Sequence, residues 1–334
     1  MTMGKRLLII PLMLLAVGLL FSAVAAAAPA TTWATDPKMG CQIGYVSENW
    51  SLTAASWIGP VVNGKAEGKG QISLIIRNKD GKQETVSGEA ETVIGLMDGK
   101  VLVKWTDGSS YDGYYKAGLR EGKGLFKYAN GESYEGGWKA NQYEGKGIYR
   151  WGNGEYYEGE WKAGKYEGKG IYRWANGKFY EGDWVANQRN GKGVQRTANG
   201  EYYEGEFKDG YFDGKGTYHY ERGEVYEGDW KNGKKDGWGL MKRPNGDYFE
   251  GQFKNGVIEG KGKVVYKKLG HSYEGTFKAG LMDGKGIYRY EDGSTYEGDF
   301  KNDKFNGYGV MRDAKGNIEY EGQWIDGKRA KQAE

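Results

Sequence analysis

Apolar and polar residues alternate with a period of two along most of the chain, and this alternation is typical of β-strands. In residues 157–162, aromatic residues and glycine take one face of the predicted strand, while glutamate and lysine take the other. Residues 168–174 repeat the alternation, with glycine, tyrosine and tryptophan on one face. Ala163 and Gly164 lie between these two segments, where a tight turn suits them. The pattern predicts a β-hairpin.

This hairpin pattern recurs in register along the chain. A tripeptide of an aromatic residue, an acid and glycine returns at intervals of 23 residues, with two intervals of 24, and a Gly-x-Gly pair keeps step with it. Two weaker copies begin at Trp57 and Val86, as is common for terminal repeats. We therefore predict about 12 units, the first two of them degenerate. The aromatic residues that open the ten sharp copies are Tyr111, Tyr134, Tyr157, Tyr180, Tyr203, Tyr226, Phe249, Tyr273, Tyr296 and Tyr320.

The mid-strand glycines lead to a prediction of register. If the ring faces of the two strands coincide, Tyr157 lies opposite Tyr172, and Gly159 lies opposite Gly170. Facing glycines leave a bare strip of backbone, and aromatic rings can lie flat across it. A Cβ on either glycine would push the rings away. We therefore predict that these glycines serve ring packing and are not turn residues.

Parity also predicts the other contacts of the unit. The same alignment places Trp161 opposite Gly168. The loop between units, at residues 175–177, must contain an odd number of residues to keep the rings on one face. We therefore expect a three-residue loop with Gly177 in the left-handed conformation.

The opposite face carries columns of charge and an apolar stripe. Glutamates from Glu135 to Glu250 form one column at the repeat interval, and lysines from Lys139 to Lys254 form another. We interpret this face as mainly solvent-exposed, because exposed ion pairs contribute little stability. The sequence does not indicate what covers the apolar stripe. The stripe consists of Ile148, Ile171, Val194, Leu240 and Ile287.

The unit that begins at Tyr157, with the sequence YEGEWKAGKYEGKGIY, resembles the MORN (membrane occupation and recognition nexus) repeat. The resemblance is close over about residues 86–324 and looser over residues 57–85. It implies an all-β fold, an elongated single-layer antiparallel meander of tandem β-hairpin repeats with a twisted or half-pipe shape. It also implies that the chain serves as a scaffold or docking surface.

The N-terminal residues predict a secretion signal. Lys5 and Arg6 precede an apolar run at residues 7–21, and small residues follow at residues 23–28. This order is that of a signal peptide, and the apolar run is short for a membrane span. The predicted location is therefore periplasmic or secreted, with an uncleaved membrane anchor as the alternative. We divide the chain into a signal peptide (1–28), a linker or cap (29–56), the repeat array (57–324) and a polar C-terminal tail (325–334).

Composition agrees with an exported all-β chain of low net charge. The 59 glycines and the 15% share of aromatic residues favour strands and tight turns over disorder. The chain has 48 basic and 45 acidic residues, so removal of Lys5 and Arg6 leaves 46 against 45, a net charge near +1. This balance lacks the basic excess of a nucleic-acid-binding protein, and it disfavours an anionic membrane as a partner.

No residues mark a catalytic or metal site in the sequence. His219 and His271 lie about two repeats apart, with no further histidine or cysteine near them. Cys41 is the single cysteine, so no internal disulfide can form, and no recognisable base accompanies the thiol. The Gly-x-Gly pairs lie inside predicted strands without a following helix, so they are not phosphate loops. We predict a protein that is not an enzyme and uses no cofactor or metal.

The predicted function is an exported repeat scaffold that binds a protein partner through an aromatic-lined groove. The same rings can instead serve mainly to pack the array, and the two roles can overlap. The alternatives are a cell-wall glycan-binding module and a membrane-associated repeat protein, and open edge strands allow a homodimer. The residues predicted to contact the partner are Trp138, Tyr149, Trp151, Trp161, Tyr172, Trp174, Trp184 and Trp230.

Overall fold

The computed structural model describes residues 29–330, and the predicted signal peptide lies outside this range. All regular secondary structure in the described range is β-strand. The 28 strands are β1 (Ala30–Thr35), β2 (Gln42–Ser47), β3 (Trp50–Ile58), β4 (Val61–Val62), β5 (Lys65–Ala66), β6 (Gly68–Asn78), β7 (Gln83–Val93), β8 (Leu96–Trp105), β9 (Ser110–Lys116), β10 (Leu119–Lys127), β11 (Ser133–Lys139), β12 (Gln142–Arg150), β13 (Tyr156–Lys162), β14 (Lys165–Arg173), β15 (Phe179–Val185), β16 (Gln188–Arg196), β17 (Tyr202–Lys208), β18 (Tyr211–His219), β19 (Val225–Lys231), β20 (Lys234–Lys242), β21 (Tyr248–Lys254), β22 (Val257–Tyr266), β23 (His271–Lys278), β24 (Leu281–Arg289), β25 (Thr295–Lys301), β26 (Lys304–Arg312), β27 (Ile318–Ile325) and β28 (Lys328–Arg329).

Most of these strands belong to one long antiparallel meander. β3, β6 and the strands from β7 to β28 form a sheet of 24 strands, in which β3 pairs with β6 and every later strand pairs with the next one along the chain. The sheet is not closed, so β3 and β28 lie at its two ends. This topology confirms the predicted fold class, an array of tandem antiparallel hairpins.

A small second sheet covers the beginning of the meander. It has the strand order β1-β2-β5-β4 and is joined to the main sheet by hydrogen bonds. The Leu52 N–H donates to Thr32 Oγ1 at 2.7 Å, and the Trp57 N–H donates to the buried Asp36 carboxylate at 2.6 Å. The Cys41 thiol is buried in this part of the core. The region predicted as a linker or cap therefore contains β1, β2 and most of β3, and residue 57 lies within β3.

The turn within a unit has two residues. Lys162 pairs with Lys165, and Ala163 and Gly164 between them have φ values of 48° and 76°. Two positive φ values in succession match the twist of a two-residue hairpin turn. The turn is bonded to the preceding unit, because the Ala163 N–H donates to Glu144 Oε2 at 2.9 Å. Local turn chemistry thus also links neighbouring units.

The loop between units has three residues, as predicted. The Trp174 N–H donates to the Lys178 carbonyl at 2.9 Å, which leaves residues 175–177 as the loop. Gly177 has a φ of 84°, so it takes the left-handed conformation that the parity argument requires. The rings of successive hairpins therefore stay on one face of the sheet.

The predicted pairing within a unit is confirmed at two positions and wrong at the third. Tyr157 pairs with Tyr172, and Gly159 pairs with Gly170. Trp161 does not lie opposite Gly168, because the register shifts between Gly159 and Glu160.

The shift has a simple cause. The two-residue turn aligns the outer ends of both strands, and this leaves two extra residues in β14 that form a bulge beginning at Gly168, where φ is 59°. Trp161 consequently pairs with Tyr166 in its own hairpin and with Gly145 of the preceding unit. The tryptophan–glycine pairing exists, but it joins neighbouring units.

Candidate interaction surface

One face of the sheet is a continuous layer of aromatic rings, built around a buried tyrosine in most units. Tyr157 is buried and lies across the facing pair Gly159 and Gly170. A Cβ on Gly159 would lie 2.6 Å from Tyr157 Oη and 2.6 Å from Gly170 Cα, closer than real Cβ contacts allow. The Tyr157 hydroxyl donates to the Glu160 carbonyl at 2.9 Å. The mid-strand glycines therefore leave space for the ring, as the sequence predicts.

The rings also connect each unit to the next. Tyr157 stacks on Tyr166 with ring centroids 3.8 Å apart, and it meets the edges of Trp161 and Trp184 at 5.1 and 5.5 Å. Trp161 Nε1 donates to the Gly147 carbonyl of the preceding unit at 3.1 Å. Each aromatic pair of this kind contributes about 0.5–1.5 kcal/mol beyond area burial. Packing between units therefore stabilises the array.

Four of the predicted contact residues lie inside this ring layer. Neighbouring rings cover them, and only 3–7% of each side chain remains exposed. These four cannot form the predicted contact surface, because a partner does not reach them without unpacking the array. They are Trp138, Trp161, Trp184 and Trp230.

The other four predicted residues, Tyr149, Trp151, Tyr172 and Trp174, are half-buried and line one margin of the ring layer. Trp151 and Tyr172 pack together with centroids 5.2 Å apart. The Tyr172 hydroxyl donates to Glu155 Oε2 at 2.9 Å, and burial together with this hydrogen bond raises the pKa of that hydroxyl. A partner contact at this margin stays a prediction.

A groove lies on the face opposite the rings. Its first segment has a volume of 1220 Å³ and runs from Glu135 to Lys215. Its second segment has a volume of 1000 Å³ and runs from Trp238 to Val310, and a smaller segment of 610 Å³ lies between them. The backbone of the glycine pairs contributes to the lining of all three segments. The sequence pattern identified this face but not its shape.

Two rows of side chains along the groove differ in chemistry. In the glutamate–aliphatic row, Ile171 pairs with Glu158 on one side and with Glu181 on the other. Neither carboxylate forms an ion pair within residues 29–330. In the lysine–acid row, Lys169 Nζ lies 2.6 Å from Asp183 Oδ1. The groove thus offers an apolar stripe beside free carboxylates, and most of its lysines face an acid across the strand.

Asp183 shows how the lysine–acid row is held. Burial alone would raise the pKa of its carboxyl group, but hydrogen bonds from Lys169 Nζ and the Lys192 N–H outweigh burial and lower that pKa. The bond from the Lys192 N–H is 2.9 Å long and fixes one carboxylate oxygen. The other oxygen faces the lysine. Asp183 therefore accepts a backbone hydrogen bond and pairs with a lysine at the same time.

A third row on the same face combines arginines with aromatic rings. The Arg150 guanidinium lies 5.5 Å from the Tyr156 ring centroid, and the Arg173 guanidinium lies 5.2 Å from the Phe179 ring centroid. Farther along the row, His219 stacks on Tyr202 at 4.1 Å. Cation–π contacts of this kind contribute about 0.5–1 kcal/mol at exposed sites. This row borders the groove, and its arginines and rings contact mainly one another.

The described residues contain no group of three or more His, Cys, Asp and Glu side chains that could hold a metal ion. His271 Nδ1 lies 3.0 Å from the Tyr288 hydroxyl, so this ring nitrogen already has a hydrogen-bond partner. Within residues 29–330, no helix has the length and apolar character needed to cross a membrane.

The family model of the MORN repeat matches the chain in ten consecutive places. The two degenerate units predicted before residue 111 lie outside these matches; in this region β3 pairs with β6 across the inserted strands β4 and β5, and β7 pairs with β8. The matched residues are 111–133, 134–156, 157–179, 180–202, 203–225, 226–248, 249–268, 273–295, 296–318 and 320–330. A comparison with curated protein sequences finds no match.

Two solved structures illustrate how distant the structural matches are. The TCP domain of SAS-4 (dCPAP) from Drosophila melanogaster, in complex with a proline-rich motif of Ana2 (dSTIL), is 13% identical, with a TM-score of 0.28. That match covers 59% of this chain and 86% of the TCP domain chain. A streptogramin B lyase is 11% identical over 83% of this chain and 88% of its own, with a TM-score of 0.14. At these scores neither structure bears on function.

Proposed function

The chain belongs to the MORN repeat family, and we propose that it is an exported, non-catalytic scaffold that holds a segment of a protein partner in the first groove segment. MORN repeats are protein–protein or membrane-associated scaffolds, and the family is generally non-catalytic. The proposal moves the binding surface from the ring face to the groove, because the ring face is occupied by its own packing.

The observation that carries the proposal is the glutamate–aliphatic row. Ile171 and Val194 remain half-buried although they lie on the open face of a single sheet, and they line the groove with Glu158 and Glu181. An apolar stripe flanked by carboxylates without ion pairs favours a segment that presents apolar and basic side chains. Burial of such a stripe by a partner is a usual source of affinity.

The proposal is tested by replacing the stripe with a residue that the array already tolerates. Lys263 occupies the equivalent position in another unit, opposite Glu250 and Glu274. The variant Ile171→Lys/Val194→Lys therefore fits the fold while it removes two of the three aliphatic side chains of the first groove segment and neutralises the neighbouring carboxylates.

Native protein, this variant and the control Leu269→Asp, an exposed loop residue, are used for affinity capture from the exported fraction. The captured protein is then purified and titrated against all three. We expect the groove variant to bind at least about tenfold more weakly, with the control unchanged and circular dichroism retained. Equal binding by all three proteins would contradict the proposal, as would loss of binding by the control.

Export is a separate part of the proposal, and it rests on the sequence of residues 1–28. The predicted cleavage lies between Ala25 and Ala28. Mass spectrometry of the protein purified from its native source should show a chain that begins after one of these alanines. A chain that retains Lys5 and Arg6 would rule out cleavage and support an N-terminal anchor instead.

A further inference from the structure

Two positions of the lysine–acid row carry an exposed aromatic ring in place of lysine. Trp238 is 48% exposed and Tyr308 is 50% exposed, and both stand between the two glycines of a Gly-x-Gly pair. Neither ring pairs with another aromatic ring of the described chain, so the ring layer on the other face does not account for them. The equivalent residues of the other units are Lys123, Lys146, Lys169, Lys192, Lys215, Lys261 and Lys285.

The residue opposite each aromatic ring changes as well. Trp238 pairs with Gln252, and Tyr308 pairs with Gln323. None of the seven lysines faces glutamine. Their partners are Gly137, Glu160, Asp183, Glu206, Asp229, Thr276 and Asp299. At both places, therefore, an aromatic residue replaces the lysine of the other units. An amide replaces the facing residue, which is most often an acid in those units.

Hydrogen bonding shows what the amide adds beside Trp238. Asp229 is the residue that corresponds to Gln252 one unit earlier. Its Oδ2 accepts the Trp238 N–H at 2.8 Å, and its Oδ1 binds Lys215 Nζ at 2.6 Å. Gln252 keeps the backbone bond, because its Oε1 accepts the Lys261 N–H at 2.9 Å. The second carboxylate oxygen is thus replaced by an NH₂ group, which donates two hydrogen bonds. This group makes no hydrogen bond to protein within residues 29–330.

The two rings stand at the two ends of the second groove segment. β20 and β26 are six strand positions apart, so the rings are separated by about 29 Å along the sheet at ~4.8 Å per strand. Between them the groove is lined by Thr276 and Ile287 together with three glutamates and three lysines, whose charges cancel, and Lys285 Nζ is paired with Asp299 at 3.0 Å. The ligand is therefore elongated and needs no net charge.

We propose that the second groove segment binds a neutral glycan chain, with Trp238 and Tyr308 as two stacking platforms. A sugar ring presents an apolar C–H face that packs on an aromatic ring, and its oxygens accept hydrogen bonds from the free Gln252 amide. A protein side chain is a poorer fit, because protein anchors are usually enclosed in desolvated pockets, whereas these rings stand on open glycine backbone. This site lies outside the segment assigned to the protein partner, so the two proposals stand or fall separately.

The test restores the ordinary pair of the array. In Trp238→Lys/Gln252→Asp, the chain's own Lys215–Asp229 pair is copied into the next unit, so the variant is expected to fold like its neighbours. Tyr308→Lys/Gln323→Asp does the same at the other end. The matched control, Lys169→Ala/Asp183→Ala, removes a pair of the same row in the first groove segment. Circular dichroism and urea unfolding verify that each variant is folded.

The probes are hexasaccharides of β-1,4-linked glucose, β-1,4-linked N-acetylglucosamine and α-1,4-linked glucose, titrated into the full chain by calorimetry and tryptophan fluorescence. We expect at least one probe to bind, with affinity reduced at least about tenfold in either aromatic variant and unchanged in the control. Absence of binding for all three probes would overturn the proposal, and so would equal affinity of the native protein and both variants. If the captured protein partner instead loses affinity for the Trp238 variant and no probe binds, the rings are protein anchors.

Discussion

The close approach of Tyr157 to the glycine strip leads to a quantitative prediction for Gly170→Ala. Gly170 does not have a positive φ, so alanine is compatible with its backbone. The added Cβ would lie 2.6 Å from Tyr157 Cζ and 2.7 Å from Tyr157 Cε2. The ring cannot move freely, because Tyr166 stacks on it at 3.8 Å and Trp184 meets it at 5.5 Å. The substitution must therefore strain or displace a buried side chain.

The expected loss of stability follows from three contributions. Forcing one extra carbon into a packed layer costs about 1–3 kcal/mol. Displacement of the ring also breaks its hydrogen bond to the Glu160 carbonyl, which contributes about 0.5–1.5 kcal/mol. Alanine restricts the unfolded chain more than glycine does, which returns about 0.4–1 kcal/mol. We therefore expect Gly170→Ala to lower the free energy of unfolding by about 2 kcal/mol.

Urea unfolding followed by tryptophan fluorescence and circular dichroism measures this change. The control is Gly177→Ala, since no atom lies within 4 Å of a Cβ placed there and only the positive φ opposes alanine. Tyr157→Phe removes the hydroxyl nearest the new methyl group, and Phe249 shows that phenylalanine fits this position. The double variant Tyr157→Phe/Gly170→Ala should lose less than the sum of the single losses. A stable Gly170→Ala protein, or strict additivity, would refute this account of the glycine strip.

Three further predictions concern the ring layer and the lysine–acid row. Trp161→Ala should lower the free energy of unfolding by about 3–5 kcal/mol and the half-buried Trp174→Ala by clearly less, as measured by urea unfolding. Asp183→Asn should cost less than about 1 kcal/mol at neutral pH. Because the folded-state pKa of this carboxyl is lowered, its contribution to the free energy of unfolding is present above pH 3.8 and vanishes as the pH falls through the folded-state pKa. The stabilities of the native protein and the variant should therefore converge in acid. Burial raises the pKa of Tyr296 to about 12, so the stability that this tyrosine contributes below pH 10 should fall as the pH rises toward 12. In an ultraviolet absorbance titration, Tyr296→Phe should lack one group that titrates late.

Sequence periodicity was sufficient for the fold because each strand pairs with its neighbour along the chain. Alternation placed Tyr157 and Tyr172 opposite each other, and the need for an odd loop placed Gly177 in the left-handed conformation. The position of Trp161 could not be obtained in this way. Parity determines the face on which a residue lies, but it does not count the extra residues that the bulge after Glu167 absorbs.

The groove face was harder to predict for a related reason. Alternation separates two faces of a sheet without showing which one curves into a groove. The burial of Trp161 and Trp184 depends on rings of adjacent units, so no single unit reveals it. A usable signal was present at Trp238 and Gln252, where two columns change together, but its meaning requires knowledge of which residues face each other across the strands.

The regular glutamate–aliphatic row has a consequence for how a ligand is positioned. Its pattern repeats every two strands, so a ligand shorter than the groove has several nearly equivalent placements that differ by one unit. Four such placements would add a statistical factor of about 0.8 kcal/mol, RT ln 4, to the apparent binding free energy, while the ligand remains free to move between them. Trp238 and Tyr308 interrupt the neighbouring lysine–acid row, and they give the groove two fixed reference points.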